Sequence, residues 1–177
     1  ILLITTDNYS RYLKKLNVKV LFSDCATASL LVKSKNKPKF EFFSNGKDYR
    51  SLAQESSNYI KSIDQNSIVM DGKKVYNFSV NEVPKMFKNF IKENKLNIKD
   101  FDFILLHQAS KIVNENIKNN ISNNMKIFLD NYDKFGNTVS SSIPLLISKN
   151  FKKLKNKKVL LCGFGVGLSI GICDHEF

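Results

Sequence analysis

No apolar run in the chain reaches the ~18 residues that a membrane span requires, and no signal peptide is visible. The chain opens on Ile1 rather than Met, so it reads as part of a longer product, and a missing leader would carry no weight. Cysteine is scarce. Cys25, Cys162 and Cys173 are odd in number and form no C-x-x-C pair. They cannot pair completely, and they suit a reducing cytoplasm as buried structural thiols. Cys, His and acidic residues lack metal-ligand spacing, so no metal is expected. Two glycine signatures are missing as well. Gly163-x-Gly165-x-Gly167 has neither the spacing of a dinucleotide fingerprint nor the Lys-Ser/Thr pair that ends a P-loop. No internal repeat occurs.

What remains is ordinary in size and unusual in charge. The 177 residues, 42% apolar and 25% charged, suffice for one globular domain. The net charge of +12 is carried mainly by lysine. A solvated lysine surface, in a chain also rich in Asn and Ile, explains much of it. An acidic carrier protein or a phosphorylated cofactor would account for the rest. Lys152 to Lys158 lacks the interleaved aromatics of a single-strand binder, so no nucleic acid is expected.

Residue patterns predict a buried strand at Ile1–Thr6, a helical tendency over Asp7–Leu16 and a strand at Ala26–Val32. Phe40 to Asn66 reads as a strand followed by a long polar excursion or lid. Asp71-Gly72 favours a tight turn. Beyond it Val80, Val83, Phe87, Phe90 and Ile91 recur at helical spacing, with Pro84 either in the first turn or at a kink. Further on come a strand at Phe101–Leu106, a helix through Ile112–Ile121 and a strand at Met125–Leu129. A helix at Ser140–Leu154 and strands at Lys158–Cys162 and Leu168–Cys173 complete the pattern. This alternation argues for an α/β layer with a mostly parallel sheet and an antiparallel addition at its end.

Three features stand at predicted strand ends, where open α/β sheets place their ligand crevices. His107 follows one strand, Asn137 another, and Gly163–Gly167 a third. An imidazole, a carboxamide and flexible backbone N–H groups suit a developing oxyanion. Spacing alone leaves the bland readings open: a structural histidine, a Gly-Asn turn and a strand-to-strand turn.

At these residues the sequence resembles the β-ketoacyl-acyl-carrier-protein synthase III branch of the thiolase-like condensing enzymes. Leu106-His107-Gln108-Ala109 is similar to its His-Gln-Ala motif. Phe135-Gly136-Asn137-Thr138, with Ser142-Ile143-Pro144 downstream, resembles its Gly-Asn-Thr segment. Gly163-Phe164-Gly165-Val166-Gly167 looks like its C-terminal glycine loop. Thr6–Arg11, Phe22–Ala28 and Met70–Tyr76 match upstream in register.

The resemblance implies a thiolase-like fold: the tail of a first half over 1–45, a connecting excursion over 46–75, and a complete second βαβαβαββ half over 76–177. It implies a decarboxylating Claisen condensation of an acyl-CoA with malonyl-acyl carrier protein in the cytoplasm, by a homodimer when intact. The coenzyme A thioester is substrate, and no cofactor or membrane is called for. His107 and Asn137 would stabilise the enolate, the backbone N–H of Val166 would serve the second oxyanion hole, and Phe164 would shape the pocket floor. Arg11 would lie near the adenine, and Tyr76 and Ala109 along the pantetheine channel. The nucleophilic Cys belongs upstream of this chain, so the chain alone should form no acyl-enzyme.

One departure stands out. The family continues His-Gln-Ala with Asn, a variable residue and Arg, where this chain has Ser110, Lys111 and Ile112. That puts carrier docking in question and keeps open a paralogue building a specialised acyl group for a glycan or secondary metabolite. A Cys-His-Asn hydrolase and a basic nonenzymatic binding module are the readings from other classes.

Overall fold

The structure is a computed structural model, and it describes residues 1–11, 13, 19–54 and 68–177. Its centre is a five-stranded mixed sheet. In chain order the strands are β1 (Leu2–Asp7), β2 (Cys25–Leu30), β3 (Phe40–Ser44), β4 (Leu52–Gln54), β5 (Ile68–Met70), β6 (Phe103–Leu106), β7 (Phe128–Leu129), β8 (Lys158–Gly165) and β9 (Ser169–Glu176). The central sheet has the order β3-β9-β8-β6-β7, while β1 pairs with β2 and β4 with β5. Strands β7, β6 and β8 run parallel. Strand β9 is antiparallel to both β8 and β3, as the expected antiparallel addition requires.

Period-two alternation explains the layers. Ile104 and Leu106 of β6 and Leu160, Cys162 and Phe164 of β8 face one core. Leu105 and Val159 face the other. Helix α1 (Gly72–Glu93) covers the first face with Phe78, Val83, Phe87 and Phe90, joined by Ile117 of α2 (Lys111–Ile121). Across the sheet, α4 (Ser142–Leu154) contributes Leu146 and Leu154; a single-turn α3 (Tyr132–Phe135) precedes it. Each such buried side chain contributes roughly 1.5–3 kcal/mol of transfer free energy, which fixes the sheet between its helices and holds the tips of β6, β7 and β8 in place.

The structure departs from the sequence reading at several points. Asp71-Gly72 makes no hairpin turn. Asp71 caps α1 through its side chain, accepting from the Lys74 N–H at 3.1 Å. Because α1 begins at Gly72, Pro84 sits in its interior, where it is buried. Burial there offsets the backbone hydrogen bond that proline cannot donate. Ile1–Thr6 forms the expected strand, but Leu2, Leu3 and Ile4 are exposed, because β1 and β2 make only a two-stranded ribbon. Phe40–Ser44 forms the expected strand, with a partner that residue pattern does not name: it hydrogen-bonds to β9 and forms the edge of the central sheet. Met125–Leu129 shortens to Phe128–Leu129, its first residues taken by a 3-10 turn. Helix α4 starts at Ser142, after a 3-10 turn at Val139–Ser141. Of the helical tendency over Asp7–Leu16, a 3-10 turn at Tyr9–Arg11 is seen, and Tyr12 and Lys14–Leu16 lie outside the described residues. So does most of the polar excursion, residues 55–67.

Candidate active site

Two cavities meet at the C-terminal tips of β6 and β8. The larger, of about 460 Å³, is walled by Tyr9, Val139, Ser140, Ile143 and Val166 among others. The smaller, of about 310 Å³, runs between Tyr76, Ala109, Ile112, Val113 and Met70. His107, Asn137, Phe164 and Gly165 line both. His107 and Asn137 thus border one space.

His107 leaves β6 with its backbone N–H donated to the Cys162 carbonyl at 2.8 Å, which ties the tip of β6 to β8. Its carbonyl accepts from the side chain of Asn114 at 2.9 Å. The ring meets the Phe164 ring edge-on, with centroids 5.2 Å apart. Neither ring nitrogen has a hydrogen-bond partner among the described residues. One side of the ring stays open to the cavity, while the rest is packed deeply enough that desolvation lowers its pKa to about 4. The ring is therefore neutral at pH 7, able to donate one N–H without a formal charge.

The sign of that shift makes a prediction. A folded pKa below the unfolded 6.5 means that the unfolded chain binds the extra proton between about pH 4 and 6.5. The contribution to stability is thus present above pH 6.5 and is lost as pH falls towards 4. An NMR titration of the His107 ring should show a midpoint well below 6; a midpoint near 6.5 would contradict the desolvated site.

Asn137 is held on every side but one. Its N–H donates to the Leu21 carbonyl, and its own carbonyl accepts from Ser23 N–H, both at 2.9 Å. The side-chain Oδ1 accepts from Val139 N–H at 2.9 Å, which orients the amide. Nδ2 has no partner among the described residues. Gly136 makes this arrangement possible. Its φ of +63° is disfavoured for residues with a Cβ, and a Cβ here would lie 2.9 Å from Ser23 Oγ and 3.3 Å from the Leu21 carbonyl.

Beyond Phe164, Gly165 (φ +157°) and Gly167 (φ +137°) let β8 reverse into β9. The turn leaves Val166 largely exposed on the rim of the larger cavity. Tyr76 and Ala109 line the smaller cavity. Arg11 closes the Tyr9–Arg11 turn, and its side chain lies outside those described. No cysteine lines either cavity. Cys162 is buried, which pushes its thiol pKa up, and burial raises that of Cys173 to about 11. Neither is poised as a thiolate.

Sequence reasoning missed the residues that hold these groups. Gln108 is fully buried. Its Oε1 accepts from Asn131 N–H at 2.8 Å and Tyr132 N–H at 3.2 Å, its Nε2 donates to the Leu106 carbonyl, and its backbone N–H donates to Ser142 Oγ. The Gln108 side chain thereby staples β6 to the segment after β7, and its backbone N–H ties both to the start of α4. Asn114 does the same for the 107–110 loop, its Oδ1 accepting from Ala109 N–H at 3.1 Å. The signal for Gln108 was its place beside His107, pointing to the opposite face.

These features define a thiolase-like α/β fold with a ligand space at the sheet's carboxyl edge. Residues 91–174 match the family model for the C terminal of 3-oxoacyl-[acyl-carrier-protein (ACP)] synthase III. The chain is similar to beta-ketoacyl-[acyl-carrier-protein] synthase III of Clostridium botulinum strain Okra, 32% identical over 184 residues, covering 96% of this chain and 56% of that protein. The same-named protein of Streptococcus agalactiae serotype III is 32% identical over 163 residues, covering 86% and 50%. A crystal structure of a 3-oxoacyl-(acyl-carrier-protein) synthase III superposes with a TM-score of 0.88 at 27% identity, over 99% of this chain and 60% of the other. The match to the synthase III family of thiolase-like condensing enzymes runs through that family's C-terminal model, over residues 91–174. The chain spans about half the length of the curated relatives it matches.

Proposed function

We propose that this chain is the part of a decarboxylating condensing enzyme that stabilises the enolate. In the full-length protein an acyl group passes from coenzyme A to a cysteine thiolate supplied from outside this chain. Loss of CO₂ from a malonyl-acyl carrier protein then leaves an enolate whose oxygen accepts hydrogen bonds from the His107 ring and Asn137 Nδ2. The carbanion carbon attacks the acyl-cysteine carbonyl, and the thiolate departs. A neutral imidazole and an amide stabilise the enolate oxygen without moving a proton, each by roughly 3–4 kcal/mol in an aligned site.

The observation that carries this reading is that both residues line both cavities, each with a donor that has no partner among the described residues. The Val166 N–H would serve the acyl-cysteine oxyanion and Phe164 the pocket floor. Tyr76 and Ala109 would line the pantetheine channel, and Arg11 would lie near the adenine. The active protein would be a homodimer, and this chain alone, without a cysteine among the described residues lining its cavities, would be inactive. Assaying acyl transfer and malonyl decarboxylation separately in the full-length protein tests the assignment. Absence of both half-reactions would refute it.

One observation favours the paralogue. Ile112, where the family pattern has a basic residue, is 68% exposed and lines the smaller cavity. Lys111, its neighbour, projects about 100° away around the helix and does not replace that charge. A specialised acyl acceptor or carrier would suit an apolar mouth of this kind.

The exposed apolar ribbon makes a further prediction. Leu2, Ile4, Leu30 and Val32 are each more than half exposed, and paired strands with such surface seek a cover. The isolated chain should self-associate or bind the remainder of the full-length protein during analytical ultracentrifugation. A monodisperse monomer with a cooperative melt would contradict this.

A further inference from the structure

We infer that Asp7 is a positioning residue for the Asn137 carboxamide, acting through the Val139–Ser141 turn; this rests on the enolate-stabilising role proposed for Asn137. Asp7 ends β1, far from Asn137 in sequence. Its Oδ2 accepts from the Ser140 backbone N–H at 3.0 Å and from the Ser140 hydroxyl. Beside it a ladder of hydroxyls continues the clamp. The fully buried Ser141 donates through Oγ to the Thr5 carbonyl at 3.1 Å and lies 3.0 Å from Thr5 Oγ1, which is 2.6 Å from Thr27 Oγ1. The β1–β2 ribbon therefore grips two successive residues of the turn.

The turn needs a grip because of Val139. Its φ is +50°, a left-handed conformation that a β-branched residue seldom adopts unless its surroundings enforce it. The Thr138–Val139 peptide carries the N–H that donates to Asn137 Oδ1. That bond decides which end of the amide faces the cavity. Rotation of that peptide plane, the motion that takes Val139 to negative φ while Asn137 stays pinned, turns the N–H away and the bond is lost. The amide is then free to flip, presenting an oxygen to the enolate where a donor is needed. The main chain of Asn137 is pinned independently by Leu21 and Ser23. Loss of Asp7 should therefore release the side chain while leaving the loop in place.

The test uses the full-length protein with two readouts: hydrogen exchange of the Val139 amide by NMR, and kcat and KM for malonyl-thioester decarboxylation. Asp7→Ala should speed Val139 exchange at least tenfold relative to neighbouring amides. It should lower kcat by roughly ten- to a hundredfold, the size expected of a misplaced group, with KM little changed. Asp7→Asn, which keeps an acceptor, should restore both to within a few-fold. Unchanged Val139 exchange in Asp7→Ala, or equal loss in the Ala and Asn variants, would overturn the inference. If Asp7→Ala does not fold, Ser140→Ala removes one leg of the clamp and should still speed Val139 exchange; no change there would overturn it equally. A wild-type protein without decarboxylase activity would instead refute the proposed function, and Val139 exchange would still decide the role of Asp7.

Discussion

Replacing His107 with alanine in the full-length protein is expected to slow malonyl decarboxylation by about 10²–10³-fold, and Asn137→Ala by a similar factor. Acyl transfer from coenzyme A to the cysteine should fall much less in either variant. The asymmetry follows from where charge develops. On the proposed function, the neutral ring, its pKa lowered to about 4 by burial, and the Nδ2 of Asn137 would both donate to one oxygen that becomes negative only when CO₂ departs. The acyl-transfer oxyanion would rest on backbone N–H groups, which these substitutions leave alone. The double variant should lose less than the product of the single losses, since both donors serve one atom and act as a unit. Burst analysis of acylation, run beside CO₂ release, separates the two half-reactions. Equal loss of both would contradict the assigned roles.

The second large effect is expected from Gly136→Ala, a change of one methyl group. Its backbone conformation, φ +63° and ψ −156°, belongs to a region used essentially by glycine alone. Strain of about 1–3 kcal/mol is expected from the backbone. The added Cβ would also meet Ser23 Oγ and the Leu21 carbonyl. The loop cannot yield without losing the two backbone hydrogen bonds that join Asn137 to Leu21 and Ser23. Melting temperature should fall by several degrees. Decarboxylation by the molecules that remain folded should fall much further, because the carboxamide moves with its backbone. A variant with wild-type decarboxylation would show that the loop does not position Asn137.

Much of the architecture could be read from residue pattern because apolar periodicity is a local property. The helices around Phe87 and Ile117 and the strands at Phe103–Leu106 and Lys158–Cys162 bury their faces as spacing alone indicates. What escaped depends on partners distant in sequence. Phe40–Ser44 carries no signal naming β9 as its neighbour. Asp71-Gly72 is equally apt as a turn or as a helix start until the following helix is known to begin there. Ile1–Thr6 has the composition of a buried strand, yet burial depends on what covers it. At the site, His107, Asn137 and the glycine loop were visible as chemistry-bearing residues at strand ends, and the family motif sharpened that reading. Gln108, Asn114 and Asp7 were not, since their importance lies in backbone groups they bind across the fold. A sequence displays a donor more readily than it displays what aims the donor.

The most direct measurement is a crystal structure of the full-length protein holding a malonyl thioester analogue that cannot lose CO₂. The thioester oxygen should lie within about 3.2 Å of both a His107 ring nitrogen and Asn137 Nδ2. An analogue seated with that oxygen turned away from either side chain would contradict the account.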